Sequence, residues 1–292
     1  MMTLRRVRRN DAGSGARLEM LLLAIVVACS VACAQLNVGA APAAGIPLRV
    51  MTYNIRSGNG DLGGTAAAIR AQRPDIVALQ EVDVHWSTRS DFADEATEIG
   101  RRLDMQVRFA PIYVIPDSDA TKPAREFGVA LLSRYPVRAL RNDTITRLST
   151  QAENPVPVPM PGLLDATLDV HGNMIHVLDT HLDYRRDPGV RATQAREMIA
   201  HVDTAVPTLV FGDMNASPGA PELQPLLTLL HDAWPAANGS GFTYPAEAPT
   251  ERIDYVLISS HFRVRGASVP VTEASDHRPV VVDLLLVPVT RR

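Results

Sequence analysis

Eight polar residues carry the side chains that could do chemistry: Asn54, Glu81, His181, Asp213, Asn215, Asp254, Asp276 and His277. Carboxylate and amide oxygens, with few thiols in the chain, make a hard oxygen environment suited to Mg²⁺ or Mn²⁺, with Ca²⁺ also admissible. The two imidazoles add general acid/base or phosphate-orienting capacity. Hydrolysis of a phosphate ester needs a metal to neutralise charge, a group to activate water, and donors for the developing negative charge. This set contains all three. Each residue taken singly has a plainer reading. Glu81 could be a solvated strand-end carboxylate, Asn54 a turn cap, and His181 a hydrogen-bonded structural histidine. Asp213 and Asn215 could shape a tight turn, and Asp276-His277 could cap a helix or turn. Their order and their placement speak against those readings.

The placement is regular. Asn54 follows Val50-Met51-Thr52-Tyr53, and Glu81 follows Ile76 to Gln80. His181 follows Ile175 to Thr180, and Asp213 and Asn215 follow Leu209 to Gly212. Asp276 and His277 precede an apolar run that begins at Pro279. Strand ends are where α/β folds hold reactive groups, because the packed sheet fixes them rigidly.

The elements around these positions can be read from apolar patterning. Strands are expected at Leu48–Tyr53, Asp75–Gln80, Phe127–Ser133, Leu163–Val170, Met174–Thr180, Pro207–Gly212, Ile253–Ser259 and Pro279–Val287. His171-Gly172-Asn173 reads as a hairpin turn between two of them. Helices are expected at Thr65–Ala71, Phe92–Leu103, Val190–Val202 and Pro221–Leu230. Residues 153–162 hold prolines at 155, 157, 159 and 161, a segment excluded from a central strand and therefore a loop or an edge. Alternating strands and helices, interrupted by an antiparallel hairpin, suggest mixed sheets with helices outside.

Arg5, Arg6, Arg8 and Arg9, the apolar run Leu21–Ala28, and Ala32-Cys33-Ala34 follow the basic, apolar, small order of a secretory signal. Residues 1–34 are read as that signal, 35–46 as an Ala/Gly/Pro linker, and 47–292 as one catalytic domain. An uncleaved membrane anchor is the alternative, although the apolar run is short for a span of ~20 residues. Both cysteines, Cys29 and Cys33, lie in the signal. Val26-Val27-Ala28-Cys29 also resembles a bacterial lipoprotein signal, with lipidation at Cys29. The chain is thus expected outside the cytoplasm, periplasmic or extracellular, either free or membrane-anchored, and as a monomer. Of 29 basic and 32 acidic residues, the signal holds five and two, so the remainder carries 24 and 30, net −6. An acidic chain has no broad electrostatic pull on polyanions, which disfavours nucleic acid as partner.

Seven segments in order carry a family resemblance. They are Met51-Thr52-Tyr53-Asn54-Ile55, Leu79-Gln80-Glu81-Val82, Gly128 to Arg134, Thr180-His181-Leu182-Asp183, Gly212-Asp213-Met214-Asn215, Arg252-Ile253-Asp254-Tyr255-Val256 and Ser275-Asp276-His277-Arg278-Pro279. The chain resembles the endonuclease/exonuclease/phosphatase superfamily of deoxyribonuclease I, apurinic endonucleases, neutral sphingomyelinases and inositol polyphosphate 5-phosphatases. The resemblance spans about Leu48 to Leu286. It implies a four-layer α/β sandwich, with two packed mixed β-sheets flanked by helices. It also implies that Glu81, with Asn54 nearby, holds the metal, and that Asp276 is a further metal ligand. Asp213 and Asn215 would bind or align water and phosphate. His277 would be the catalytic histidine, oriented by Asp254, and His181 would bond a phosphate oxygen or act as an acid. Asp213 and His277 both qualify as the base.

The spacing looks closest to a compact bacterial branch similar to the phosphoesterase domains of glycosylphosphatidylinositol-anchor lipid remodelers. One departure stands out. Many relatives carry an arginine just before the glycine equivalent to Gly162, where this chain has Pro161. Arg125, Arg185, Arg186 and Arg191 are nearby replacements, with Arg125 and Arg191 chosen as substrate-binding candidates. A lipid headgroup or small phosphate ester is the favoured substrate. A secreted nuclease and a non-catalytic binding module on the same fold are the alternatives.

Overall fold

The computed structural model describes residues 45–235 and 238–287. The signal reading of 1–34, Cys29 within it, and all but the end of the linker lie outside the described residues. Ile46, read as the linker's last residue, is already strand and pairs with Leu286.

Two six-stranded sheets form the molecule. The first runs β11 (Phe262–Ser268), β12 (Val280–Leu286), β1 (Ile46–Asn54), β2 (Ile76–Val84), β4 (Arg125–Ser133), β3 (Gln106–Ile115). The second runs β5 (Val137–Arg147), β6 (Val158–Val170), β7 (Asn173–His181), β8 (Thr208–Asp213), β10 (Asp254–Ile258), β9 (His231–Asp232). Each sheet is mixed, with one parallel pair, β1–β2 and β7–β8, among antiparallel neighbours.

Alternation along the strands divides the apolar residues into three layers of contact. Val50, Ile76, Val129 and Leu131 of the first sheet meet Leu164, Val177, Leu209 and Phe211 of the second in the central core. Met51, Val77, Leu79 and Leu132 point the other way. They pack on Ile69 of α1 (Leu62–Gln72) and on Ala96 and Ile99 of α2 (Glu95–Leu103). Leu178, Val210 and Tyr255 likewise pack on Ala195 and Met198 of α3 (Gly189–Ile199) and Leu226 of α4 (Gln224–Leu227). The expected four-layer sandwich of two mixed sheets flanked by helices is the fold observed.

Some boundaries differ from the sequence reading, for local reasons. The helix expected from Phe92 starts at Glu95, because Asp94 caps it by accepting from Thr97 N at 3.0 Å. The helix expected over Pro221–Leu230 is a 3₁₀ turn, Pro221–Leu223, followed by the single turn of α4, with Pro225 near its start. Pro159 and Pro161 do enter a strand, β6, although it is not an edge strand. At their end β6 pairs only with β5, through Thr146↔Pro159 and Ile145↔Met160, while pairing to β7 begins at Leu164. The proline segment is therefore a local edge inside a longer sheet.

Candidate active site

Strand direction explains why the eight residues meet. In a parallel pair both C-terminal ends lie at the same edge. Asn54 and Glu81 therefore share one edge of the first sheet, and His181 and Asp213 lie side by side in the second. Antiparallel neighbours bring their N-terminal ends to the same edge. Asp254, the first residue of β10, pairs with Asp213, and Asp276 and His277 lead into β12. Two bonds then join the sheets across the core. Asn54 Nδ2 donates to Asp213 Oδ2 at 3.0 Å, and the buried Gln80 Nε2 donates to Asp179 Oδ1 at 2.7 Å.

Two of the eight residues stand on left-handed backbone, Glu81 at φ 55° and Asn215 at φ 48°. Asparagine tolerates this region, but for glutamate it costs about 1–2 kcal/mol. Glu81 sits where β2 and β4 shift register between Leu79 and Val82, so the irregularity turns its side chain into the cleft. Gly212 is required for a different reason: a Cβ there would lie 2.4 Å from Thr180 O on β7. Close approach of these two backbones sets Asp213 beside His181.

Asp213 is the centre of the site. Its Oδ1 accepts from Asn215 N at 3.0 Å, while Oδ2 accepts from Asn54 and faces two imidazoles, His181 Nε2 at 3.5 Å and His277 Nε2 at 3.7 Å. Burial and the facing Asp254 carboxylate push the Asp213 carboxyl above its ordinary range, while the two histidines and Asn54 oppose them. His277 Nδ1 is 2.9 Å from Asp254 Oδ2 in a buried pair. Burial alone would lower the His277 imidazole. The Asp254 carboxylate overrides this, helped by Asp213 and Asp276, and raises it to about 10. The ring is therefore an imidazolium at neutral pH. A protonated ring suits proton donation better than proton abstraction, which favours Asp213 of the two candidates for the base.

Further residues complete the frame. Ser275 Oγ donates to Asn54 O at 2.7 Å and accepts from His277 N at 3.3 Å, locking two of the eight together. The Tyr244 ring lies 4.8 Å from the His277 ring and covers it. Asn215 Nδ2 donates to Leu182 O at 3.0 Å, which leaves its side-chain oxygen without a partner among the described residues.

Glu81, Asp213 and Asp276 line one cleft of about 350 Å³ with both histidines. The donors fit a hard divalent cation. Glu81 has one oxygen held by Asn54 Nδ2 at 2.9 Å, and one Asp254 oxygen is buried with no partner among the described residues. Asp276 is only loosely engaged, by Arg56 at 3.5 Å and Ser275 at 3.4 Å. Asn54 does not present an oxygen to this cleft as a ligand. Its amide nitrogen bridges Glu81 and Asp213, and its Oδ1 accepts from Arg56 N at 3.0 Å. It serves to hold the two carboxylates at a fixed separation.

The two arginines chosen as substrate-binding candidates are elsewhere. Arg191 is buried on α3, paired with Glu222 at 2.8 Å and donating to Asp183 O and Arg185 O at 2.9 Å. It clamps the loop after His181 instead of facing the cleft. Arg125 opens β4 and lines neither the cleft nor the pocket beside it. The cation beside Gly162 is Arg147 at the end of β5. It donates to Pro161 O at 3.0 Å, Gly162 O at 2.9 Å and His181 O at 2.7 Å. Sequence reading missed it because β5 was not recognised as a strand. The β-branched run Thr144-Ile145-Thr146 was the available signal.

Comparison with known proteins agrees with this geometry. No curated protein matches the chain in sequence. Among solved structures, it is similar to an endonuclease/exonuclease/phosphatase from Beutenbergia cavernae DSM 12333, with TM-score 0.63 and 26% identity over 84% of this chain and 74% of that one. The human Nocturnin catalytic domain with bound sulfate anion has the same fold at TM-score 0.59 and 22% identity, over 82% and 93%. So does a mannosyl-6-phosphatase of Bacteroides thetaiotaomicron VPI-5482, at TM-score 0.56 and 17% identity, over 82% and 100%. A sequence model of the Endonuclease/Exonuclease/phosphatase family matches residues 51–277. Its fold, its site and this match together place the chain in the Endonuclease/Exonuclease/phosphatase family, divalent-metal-dependent hydrolases of phosphoric esters.

Proposed function

We propose that the chain is an exported Mg²⁺- or Mn²⁺-dependent phosphoesterase whose substrate is a small phosphate ester or a lipid headgroup. The observation that carries the catalytic reading is the buried Asp213 carboxylate, held by Asn54 and Asn215 and faced by two histidines, in one cleft with Glu81 and Asp276. Glu81 and Asp276 would hold the cation, which supplies charge neutralisation at the phosphoryl group when bound. Asp213, raised by burial, accepts the proton of the attacking water. The His277 imidazolium and His181 present Nε2 toward the same carboxylate, where they can donate to phosphoryl oxygens as negative charge develops. Asn215 aligns water or phosphate through its free amide oxygen.

The substrate class is supported by charge. Net −6 outside the signal supplies no broad attraction for a polyanion, and no dense Arg/Lys run is present in that part of the chain. Export rests on the basic, apolar, small order of residues 1–34, with lipidation at Cys29 as the route to membrane attachment.

Protein purified without its signal and supplied with Mg²⁺ or Mn²⁺ should hydrolyse bis-p-nitrophenyl phosphate. EDTA and Glu81→Ala should each abolish turnover. Equal inactivity of wild type and Glu81→Ala across a broad phosphoester panel would sink the reading. A plasmid-nicking assay run beside a phospholipid-headgroup assay separates the substrate classes, since nicking without headgroup release would favour a nuclease. Palmitate labelling that requires Cys29 would establish the anchored form.

A further inference from the structure

A second pocket of about 230 Å³ opens beside Glu81 and His181, between β3–β4 and the loops following β5 and β7. Tyr113 and Phe127 form one wall, with ring centroids 6.2 Å apart and Trp86 packed on both. Arg147 lines it from below, and Thr150 and Arg185 from the rim. Arg147 is the unusual member. It is 6% exposed, yet among the described residues its hydrogen-bond partners are all neutral: three carbonyls and Thr180 Oγ1. Those four bonds use four of the five guanidinium N–H groups. Asp183, the carboxylate that acts on Arg147 through space, is hydrogen-bonded to the Arg185 backbone N and side chain, so one carboxylate serves two guanidinium groups. Burial lowers the Arg147 pKa to about 10, which still leaves it charged at neutral pH.

Two guanidinium groups sharing one carboxylate leave one positive charge unbalanced beside the pocket, and a buried charge is unfavourable unless something pairs it. We propose that this pocket is an anion subsite, which takes a phosphate or carboxylate that the substrate carries beside its scissile phosphoester. The inference rests on the phosphoesterase reading and narrows it to esters with a second anionic group. Arg147 supplies the buried cation and one unspoken-for N–H. Arg185, whose charge Asp183 balances, contributes guanidinium N–H donors at the rim, where it lies over the Tyr184 ring. The Tyr113–Phe127 wall accepts the apolar or ring portion joining the two anions. The volume suits one compact group.

The test compares two esters with the same leaving group, methyl p-nitrophenyl phosphate and 2-carboxyethyl p-nitrophenyl phosphate, using the Mg²⁺-loaded protein. Wild type should favour the carboxyethyl ester by about tenfold in kcat/KM, mostly through KM, as expected of one charge-assisted hydrogen bond. Arg147→Met should bring the ratio to about one, and Arg147→Lys should retain part of it. Arg147 also ties three strands together, so Arg147→Met is paired with Thr150→Glu, which puts a carboxylate on the lining of the same pocket. Thr150→Glu should raise the melting temperature and erase the preference. A wild-type ratio of about one, or a ratio that Thr150→Glu leaves intact, overturns the proposal. If neither ester is turned over, the phosphoesterase reading is at fault, and calorimetric titration of metal-free protein with inorganic sulfate decides the subsite alone. Binding that Thr150→Glu abolishes upholds it, and the absence of binding to wild type overturns it.

Discussion

Asp254→Asn should lower kcat by about two orders of magnitude while the protein stays folded. Asp254 Oδ2 and His277 Nδ1 are 2.9 Å apart and both groups are buried. Burial pushes the imidazole down, and the Asp254 carboxylate is the leading influence that raises it to about 10. Asparagine keeps the shape and removes the leading of the three charges that raise the ring, so the balance shifts toward the neutral imidazole. The site then loses a charge-assisted hydrogen bond, worth about 1.5–3 kcal/mol between buried groups, or ~10- to 100-fold in rate. Loss of the fixed imidazole orientation adds to this. The assay is kcat and KM on bis-p-nitrophenyl phosphate at saturating Mg²⁺, with KM expected to move little. Stability gives a second readout in metal-free protein. A histidine raised from 6.5 to about 10 stabilises fully below 6.5, and that contribution is lost as pH rises toward 10. The wild-type melting temperature should therefore fall across this window, and Asp254→Asn should flatten the fall. A kcat within about threefold of wild type, or an unchanged melting profile, would refute the pairing as the source of the imidazolium.

Three further outcomes follow from the same structure. Burial raises Glu95 from 4.5 to about 8, so its stability contribution is complete below 4.5 and is lost as pH rises through 8. Glu95→Gln keeps an acceptor for Asp83 N and should melt higher than wild type at pH 9, with the gap closing near pH 5. Arg191→Met breaks a buried pair with Glu222 and should cost about 3–5 kcal/mol in urea unfolding with KM of the folded fraction unchanged; a raised KM without destabilisation would restore its substrate-binding role. Gly212→Ala forces a Cβ to within 2.4 Å of Thr180 O, and should reduce both stability and kcat, since the strain falls where Asp213 and His181 meet. Turnover and melting like wild type would show that the strands can separate without disturbing the site.

Most site residues were legible because each ends or precedes an apolar run that is buried in a central strand. Val50–Tyr53, Ile76–Gln80 and Leu209–Gly212 have this character, and their burial made the polar residue that follows conspicuous. β3, β5 and β11, and the two-residue β9, were not read as strands. They are the four outer strands of the two sheets; β9 is too short to show a pattern, and in the other three the apolar pattern is diluted by Arg108, Arg138, Arg141 and Arg263. The missed strands had functional consequences, because β5 carries Arg147 and β3 carries Tyr113.

The sequence by itself determined the chemistry: which groups are present, in what order, and that strand ends hold them rigid. Residue types and apolar runs are local properties, so one chain suffices to read them. Only the tertiary structure decided how those groups divide the work. Asn54 became a bridge between carboxylates because the two sheet edges bring Glu81 and Asp213 within reach of one amide. His277 is pushed toward its protonated form because Asp254, 23 residues away, lies against it in a buried pair. Arg191 was drawn into a clamp with Glu222, and Arg147 took the place beside Gly162. Protonation, pairing and burial depend on neighbours that are distant in the chain, and those neighbours are assigned only when the two sheets pack.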